Sequence, residues 1–353
     1  MIVISPWEHG SAFVNGREVY FQDYKSSVSD AVAKILLLRG PYKFEVSDPK
    51  PLLEAKTGLL IRDVGLGDIM LLTPIAREIK KLNPGIKLDF MVPERYAGLL
   101  QGNPFINKVI TSETLDIDKI DTYQWFAKFN NCEFDVGKHG WMHRVDIFAH
   151  MVPEIPRPIT DRSLTYVVSP DDKSWARTLF PDSVKPLVGV VLTAHCVSRM
   201  LKRETHQAIC QALLDKGIKL VIINHIPQNI IQEREGIKDM SGKMSVRQLG
   251  AIIDRCDCLL TPDTGTFHIA NAIGKSNAAY FGAINPELRI TNPACTHLVP
   301  NTPVDCFPCD AYTCEQPLCI WNISVPKFVE TVVEGINAPD SITRSGGGTS
   351  VAA

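Results

Sequence analysis

No apolar run in this sequence reaches the roughly 18–20 residues that span a bilayer, so no transmembrane segment is expected. Neither sign of charge dominates, since 37 basic residues face 39 acidic ones for a net of −2. A dedicated non-specific nucleic-acid binder carries a basic excess, and that class is disfavoured. The opening MIVISPWEHGSAF has no basic segment followed by an apolar core, which argues against a secretory leader. No internal repeat is evident beyond two α/β halves.

What remains is an ordinary globular composition, 45% hydrophobic and 22% charged, over 353 residues. At about 100–200 residues per domain, that length implies two domains, each able to bury a core. Cysteine is the unusual component, with ten in all. Six are scattered (Cys132, Cys196, Cys210, Cys256, Cys258, Cys295) and four crowd into Cys306–Cys319. Without a leader, a disulfide framework is the weaker reading, and the scattered six are read as reduced thiols.

Along the chain, Asn15-Gly16 between apolar flanks (Phe13 to Phe21) signals a hairpin, and Ser29–Leu38 reads as a short amphipathic helix. These form an appendage over residues 1–50. Leu59-Leu60-Ile61 is an apolar run suited to a strand covered on both faces. Gly65-Leu66-Gly67-Asp68 turns the chain into a helical stretch ending near Leu82, and Lys87–Val92 is the next strand. Asp68 is a candidate N-cap. Alternatively Thr73, before Pro74, caps the main helix and leaves Asp68 on a short preceding turn.

The second half repeats this grammar. Strands are expected over Leu187–Leu192, Lys219–Ile223, Cys258–Thr261 and Ala278–Phe281. Helices are expected over Glu204–Lys216, Ser245–Arg255, Thr266–Ile273 and Pro326–Ile336, with Ser245 as N-cap and Gly217 and Gly274 as stops. Such alternation implies an α/β fold with parallel sheets. A proline-rich stretch over 153–186 marks the join, and the tail from Ala338 is expected to be disordered.

Three segments could carry chemistry. Gly65–Asp68 lets a ligand approach the main chain closely. Thr261-Pro262-Asp263-Thr264-Gly265-Thr266-Phe267-His268 ends a strand and opens a helix, offering free N–H groups and hydroxyls to a phosphate; a plain Asp/Thr helix cap is the competing reading. His268 is by default a packing residue. Thr193-Ala194-His195, followed by Arg199, Lys202 and Arg203, is either an anion clamp or a solvated basic loop.

LLIRDVGLGDIMLLTPIAREIKKLNPGIKLDFMVPE and DCLLTPDTGTFHIANAIGKSNAAYFGAINP resemble the opening and the donor-site motif of glycosyltransferase family 9, the heptosyltransferases, with likeness spanning roughly 57–336. The resemblance implies a GT-B fold, two Rossmann-like domains (51–180 and 181–337) facing across a cleft, with the first 50 residues as an extension. It implies an inverting, metal-independent transfer of a sugar from a nucleotide-sugar donor to an acceptor hydroxyl. Asp68 falls on the family's general base. Gly67, Thr193, Arg199, Lys202, Asp263, Thr264, Gly265, Thr266 and His268 become candidate donor-binding residues. The location implied is cytoplasmic, or peripheral at the inner membrane.

Two family features are missing. The segment Met200-Leu201-Lys202-Arg203-Glu204 keeps the lysine but not the Trp-Pro that usually follows. Asn224-His225-Ile226-Pro227-Gln228-Asn229 lacks the Gly and Glu that often meet the donor's nucleoside. ADP is implied by resemblance, while UDP- or GDP-sugars stay open. The acceptor stays open among a glycan, a protein and a modified nucleic acid. A non-catalytic sugar-nucleotide or partner-binding module is the alternative from another class, although Asp68 and the D-T-G-x-x-H pattern favour an enzyme.

Cys306, Cys309, Cys314 and Cys319 read C-x2-C-x4-C-x4-C, a spacing that suits a tetrahedral all-thiolate site for structural zinc or iron. Free thiols and one or two disulfides are the alternatives. A similar segment occurs in many family 9 members, and one protein-modifying branch holds iron there, so the resemblance supports a metal without choosing which.

Overall fold

A computed structural model of the protein describes residues 2–4, 10–14, 17–21, 25–27, 43–44 and 48–338, apart from 112–119, 121, 131–140, 310 and 312. β1 (Ile2–Ile4), β2 (Gly10–Val14), β3 (Arg17–Phe21), β4 (Lys25–Ser27) and β5 (Lys43–Phe44) lie in the first 50 residues. β2 and β3 pair antiparallel with Val14 opposite Arg17, as the hairpin signal requires. β1 lies between β4 and β5 in a three-stranded antiparallel sheet. Asn15, Gly16 and the expected helix Ser29–Leu38 lie outside the described residues.

The chain divides into two compact units, neither of them continuous in sequence. The first holds residues 1–65, 72–137 and 145–160; the second holds 66–71, 138–144 and 161–353.

In the first unit, β6 (Thr57–Ile61), β7 (Lys87–Val92), β8 (Lys108–Thr111) and β9 (Trp125–Lys128) form a parallel sheet in the order β8-β7-β6-β9. Leu59, Leu60 and Ile61 are buried, as expected of a strand covered on both faces. Gly65, at φ 79°, turns the chain out of β6. The helical stretch that follows is two helices, α1 (Leu66–Leu71), counted with the second unit, and α2 (Thr73–Leu82). Pro74 has no N–H to return to the preceding turn, which explains the break. Leu72, not Thr73, sits at the cap of α2, with Thr73 as its first residue. α2 buries Ile75, Ala76 and Ile79 and presents Lys80 and Lys81 at its end. α3 (Arg144–Ala149) follows.

The second unit contains α4 (Pro170–Leu179), β10 (Leu187–Val190), α5 (Arg203–Leu214), β11 (Lys219–Ile222), β12 (Ile237–Asp239), α6 (Val246–Arg255), β13 (Cys258–Pro262), α7 (Gly265–Ile273), β14 (Asn277–Tyr280), β15 (Cys295–Leu298), α8 (Leu318–Trp321) and α9 (Val325–Asn337). Its six strands are all parallel, in the order β12-β11-β10-β13-β14-β15. Ser245 caps α6 in a reciprocal box with Gln248, and Gly274 closes α7 in the left-handed region, both as expected.

Alternation along β14 builds both faces of this sheet. Tyr280 stacks edge-on with Phe328 of α9 at 5.6 Å, in the larger core of Val188, Val190, Leu220, Ile222 and Leu260. Phe281 turns the other way and meets Phe267 of α7 at 5.5 Å. Each such fully buried aromatic or aliphatic side chain contributes about 1.5–3 kcal/mol. Among the described residues, no helix is long and apolar enough to cross a membrane.

Candidate functional site

The strand order of the second unit fixes where a ligand would sit. The chain runs β10 to β11 to β12 outward on one side, then returns to place β13 against the other side of β10. Helices and loops diverge at such a reversal, leaving a crevice beyond the carboxyl ends of the two strands. Beyond β10 lie Thr193, Arg199 and Lys202; beyond β13 lie Asp263 and the start of α7. The topology therefore brings two of the three candidate segments to one crevice.

Asp263 is the electrostatic centre of that crevice, only 3% exposed. Arg199 reaches it twice, with Nη1 3.2 Å from Oδ2 and donating to the backbone carbonyl at 3.1 Å. Burial pushes the Asp263 carboxyl up, but Arg199, Arg289, His268 and Arg144 outweigh it and hold it below the ordinary carboxylate range. His268 sits one turn into α7 with Nε2 3.9 Å from Asp263 Oδ1. Burial drives its pKa down to about 4 despite the opposing pull of Asp263 and Asp68, so the ring is neutral near pH 7.

The third segment also reaches this crevice, through α1. Gly67 lies so close to His268 that an added Cβ would be 2.7 Å from Cδ2 of the ring. On the facing helix, a Cβ at Gly265 would be 2.9 Å from the Cβ of Leu66. Both glycines are thus required by close approach, and they set Asp68 beside α7. Asp68 is about one-fifth exposed, and its Oδ1 lies 3.8 Å from Nε of Arg144.

Sequence reasoning missed Arg144 and Arg289, because each is a single arginine outside any motif and only tertiary structure brings them here. Both are buried, and each affects the electrostatics of Asp263 and His268. Burial and the nearness of Arg144 lower the pKa of Arg289, against the opposing effect of Asp263. Three guanidiniums (Arg144, Arg199 and Arg289) thus share the crevice with Asp263 and Asp68. Among the described residues, Nε and Nη1 of Arg144, Oγ1 of Thr264 and Nδ1 of His268 are buried without hydrogen-bond partners. Each such group costs about 1–3 kcal/mol, a cost that an anionic or hydroxyl-bearing ligand would offset.

The remaining candidates divide. Thr264 is the N-cap residue of α7, and Gly265 and Thr266 open that helix, where N–H groups lack intrahelical partners. Thr193 is half-buried beyond β10. Lys202, also beyond β10, is the N-cap residue of α5, and its ammonium lies 4.2 Å from the centre of the Trp321 ring. Asn224, in the loop after β11, is occupied internally. It accepts from the Leu192 N–H at 2.8 Å and meets Ser241 Oγ at 3.3 Å, tying loops after β10, β11 and β12.

The four clustered cysteines are free thiols graded in exposure, with Cys306 and Cys309 at the surface and Cys319 buried. Burial raises the Cys319 thiol, and Cys309, Cys306 and Cys314 raise it further, so the four sulfurs influence one another. That donor set fits a thiophilic metal. Among the described residues, however, no three His, Cys, Asp or Glu side chains are grouped to hold a metal ion.

The sequence and fold have counterparts in known proteins. Residues 121–317, more than half of the chain, match the model of glycosyltransferase family 9 (heptosyltransferase). The chain belongs to glycosyltransferase family 9. The match includes the D-T-G-x-x-H segment and Arg144 and Arg289, and begins after Asp68. Among characterised family relatives, lipopolysaccharide heptosyltransferase 3 of Escherichia coli is 22% identical over 277 residues, 62% of this chain and 81% of its own. The structure of E. coli ADP-heptose lps heptosyltransferase II matches with a TM-score of 0.63 at 16% identity, over 80% of this chain and 98% of that one. The iron-containing dodecameric glycosyltransferase TibC of enterotoxigenic E. coli H10407 matches with a TM-score of 0.61 at 14% identity, over 87% and 84%. The fold of this family 9 protein is GT-B, α/β with parallel sheets.

Proposed function

We propose that this family 9 enzyme transfers a heptose or related sugar, with inversion, from a nucleotide-sugar donor to an acceptor hydroxyl, with Asp68 as general base. The observation that carries this reading is the placement of α1 against α7: Gly67 rests on His268, so the Asp68 carboxylate stands beside the D-T-G-x-x-H segment. The carboxylate takes the proton from the acceptor hydroxyl while that oxygen attacks the anomeric carbon and the bond to the leaving phosphate breaks. The nucleoside diphosphate departs with its negative charge facing the start of α7, Arg199 and Lys202, which lower the energy of that charge as it develops. Asp263 holds Arg199 in place, and neutral His268 orients the donor without adding charge.

ADP is the favoured nucleotide, because E. coli WaaC has been crystallised with ADP and TibC with ADP-D-beta-D-heptose. Asn224, already engaged, offers no counterpart to the glutamate that often meets the nucleoside, so UDP- and GDP-sugars belong in the same screen.

Asp68→Ala tests the base. Transfer is expected to fall by about 10²–10⁴-fold while ADP binding, followed by isothermal titration, persists. Transfer at the wild-type rate would defeat the assignment.

The four-cysteine segment is proposed to hold one structural zinc or iron, an idea supported by its donor set and by iron in TibC. Elemental analysis of the purified protein should find about one metal per chain, reduced when Cys306 and Cys309 are replaced by serine. Metal-free protein in which the four clustered thiols titrate would reject it.

A further inference from the structure

The four-cysteine segment touches the cationic loop after β10 at two places that the transfer chemistry leaves unexplained. Ser198, 1% exposed, donates from its hydroxyl to the carbonyl of Ala311 at 2.9 Å, between Cys309 and Cys314. Four residues further on, the Lys202 ammonium lies 4.2 Å from the centre of the Trp321 ring, two residues beyond Cys319. Both contacts tie the segment to the stretch that carries Arg199 and Lys202.

The segment is itself moored to the end of β14. The Cys309 N–H donates to the carbonyl of Ala283 at 2.8 Å, and Ala283 holds a left-handed conformation at φ 64°. Its neighbour Gly282 has no space for a methyl group: a Cβ there would be 2.2 Å from the Ser198 carbonyl oxygen and 2.4 Å from Cδ1 of Ile320. The turn 282–283, the loop at Ser198 and the segment reaching Trp321 are therefore packed three ways. Arg199, next in chain to Ser198, pairs with Asp263, so a shift at Ser198 passes directly into the crevice.

Lysine loses much rotamer freedom when it is fixed on a phosphate, and a ring that already holds the ammonium removes part of that loss. An ammonium has three N–H donors, and a ring on one side does not use them all. We propose that Trp321 and the Ala311 carbonyl are positioning groups for the cationic loop, so that the four-cysteine segment sets how tightly a phosphorylated donor is held. This deepens the donor reading above and rests on it.

The full-length protein as purified would be titrated calorimetrically with ADP and with inorganic pyrophosphate. Trp321→Leu, which keeps apolar bulk but loses the ring, should weaken ADP binding about threefold to thirtyfold. Trp321→Phe should retain most of the affinity, and KM for the donor should move more than kcat. Lys202→Ala combined with Trp321→Leu should bind no worse than Lys202→Ala alone, since the ring then has nothing to hold. Ser198→Ala should weaken binding in the same direction and serves if the Trp321 variants misfold. Wild-type affinity in Trp321→Leu, equal losses in the Leu and Phe variants, or fully additive losses with Lys202→Ala would each overturn the proposal. Failure of the wild type to bind ADP, UDP, GDP or pyrophosphate would overturn the donor reading and this proposal together. Binding by the wild type with an insensitive Trp321 overturns only the proposal.

Discussion

His268 and Asp263 share a crevice and are both held below their ordinary pKa values, so each loses stability in acid but in a different pH window, and that sequence gives the protein a pH signature. Burial holds His268 down at about 4 against 6.5 when unfolded, so the unfolded chain binds its proton first as pH falls. Its contribution is constant above pH 6.5 and turns destabilising between 6.5 and about 4. His206, buried beside Tyr280 at 3.4 Å, is likewise held at about 4 and adds to the same window. Asp263 is held below its ordinary 3.8, so its contribution persists through that window and is lost only as pH falls further, through its folded value. Urea unfolding across pH 4–7 should therefore lose stability steadily below 6.5, and His206→Gln should flatten the slope. A flat profile would mean that neither imidazole is neutral and enclosed. Of this cluster, Asp263 and His268 were legible because they share a strand-end motif with fixed spacing. Arg144 and Arg289 were not, since a lone buried arginine reads from sequence as a solvated surface residue.

At the scale of elements, the parallel strands covered on both faces were the most legible, because burial on both sides writes an unbroken apolar run: Lys87–Val92 was bounded correctly, and Leu59–Ile61 and Cys258–Thr261 to within two residues. β8, β12 and β15 were missed; they are edge strands in their sheets, with polar or half-exposed residues that break the run. The division of the 66–82 stretch into α1 and α2 was only half legible, since proline signalled a boundary but not which residue would stand at the cap. That division matters, because it frees α1 to lie on α7 at glycine distance. Gly67→Ala tests this contact. Its methyl would press on a buried ring with little room to yield, so a destabilisation of about 1–3 kcal/mol is expected, together with loss of transfer. A Gly67→Ala protein with wild-type melting and activity would show that the approach of α1 to His268 is looser than the distances imply.

For the whole molecule, the division into two units, each discontinuous in sequence, bears on which parts the proposed donor site uses. Asp68, Arg144, Arg199, Asp263, His268 and Arg289 all belong to the second unit, even though Asp68 and Arg144 come from separate stretches of the first half of the sequence. The strands before residue 48 belong to the first unit and pair with one another, β2 with β3 and β1 with β4 and β5. Residues at the start of the remaining chain have their own anchors: the Lys50 N–H donates to the Gln124 carbonyl at 2.9 Å, and the Gln124 amide donates to Asp48 at 3.0 Å. Removing residues 1–47 should thus leave ADP affinity within about twofold of the full chain, since the charged crevice residues all lie in the second unit. If those residues select the acceptor, as the family resemblance beginning after them suggests, the same truncation should lower transfer with acceptor while leaving nucleotide binding in place. Calorimetry with ADP, beside a transfer assay and a melting curve, separates the outcomes. Lost affinity in a truncated protein that still melts cooperatively would place part of the donor site in the first 47 residues. Undiminished transfer would remove them from acceptor choice.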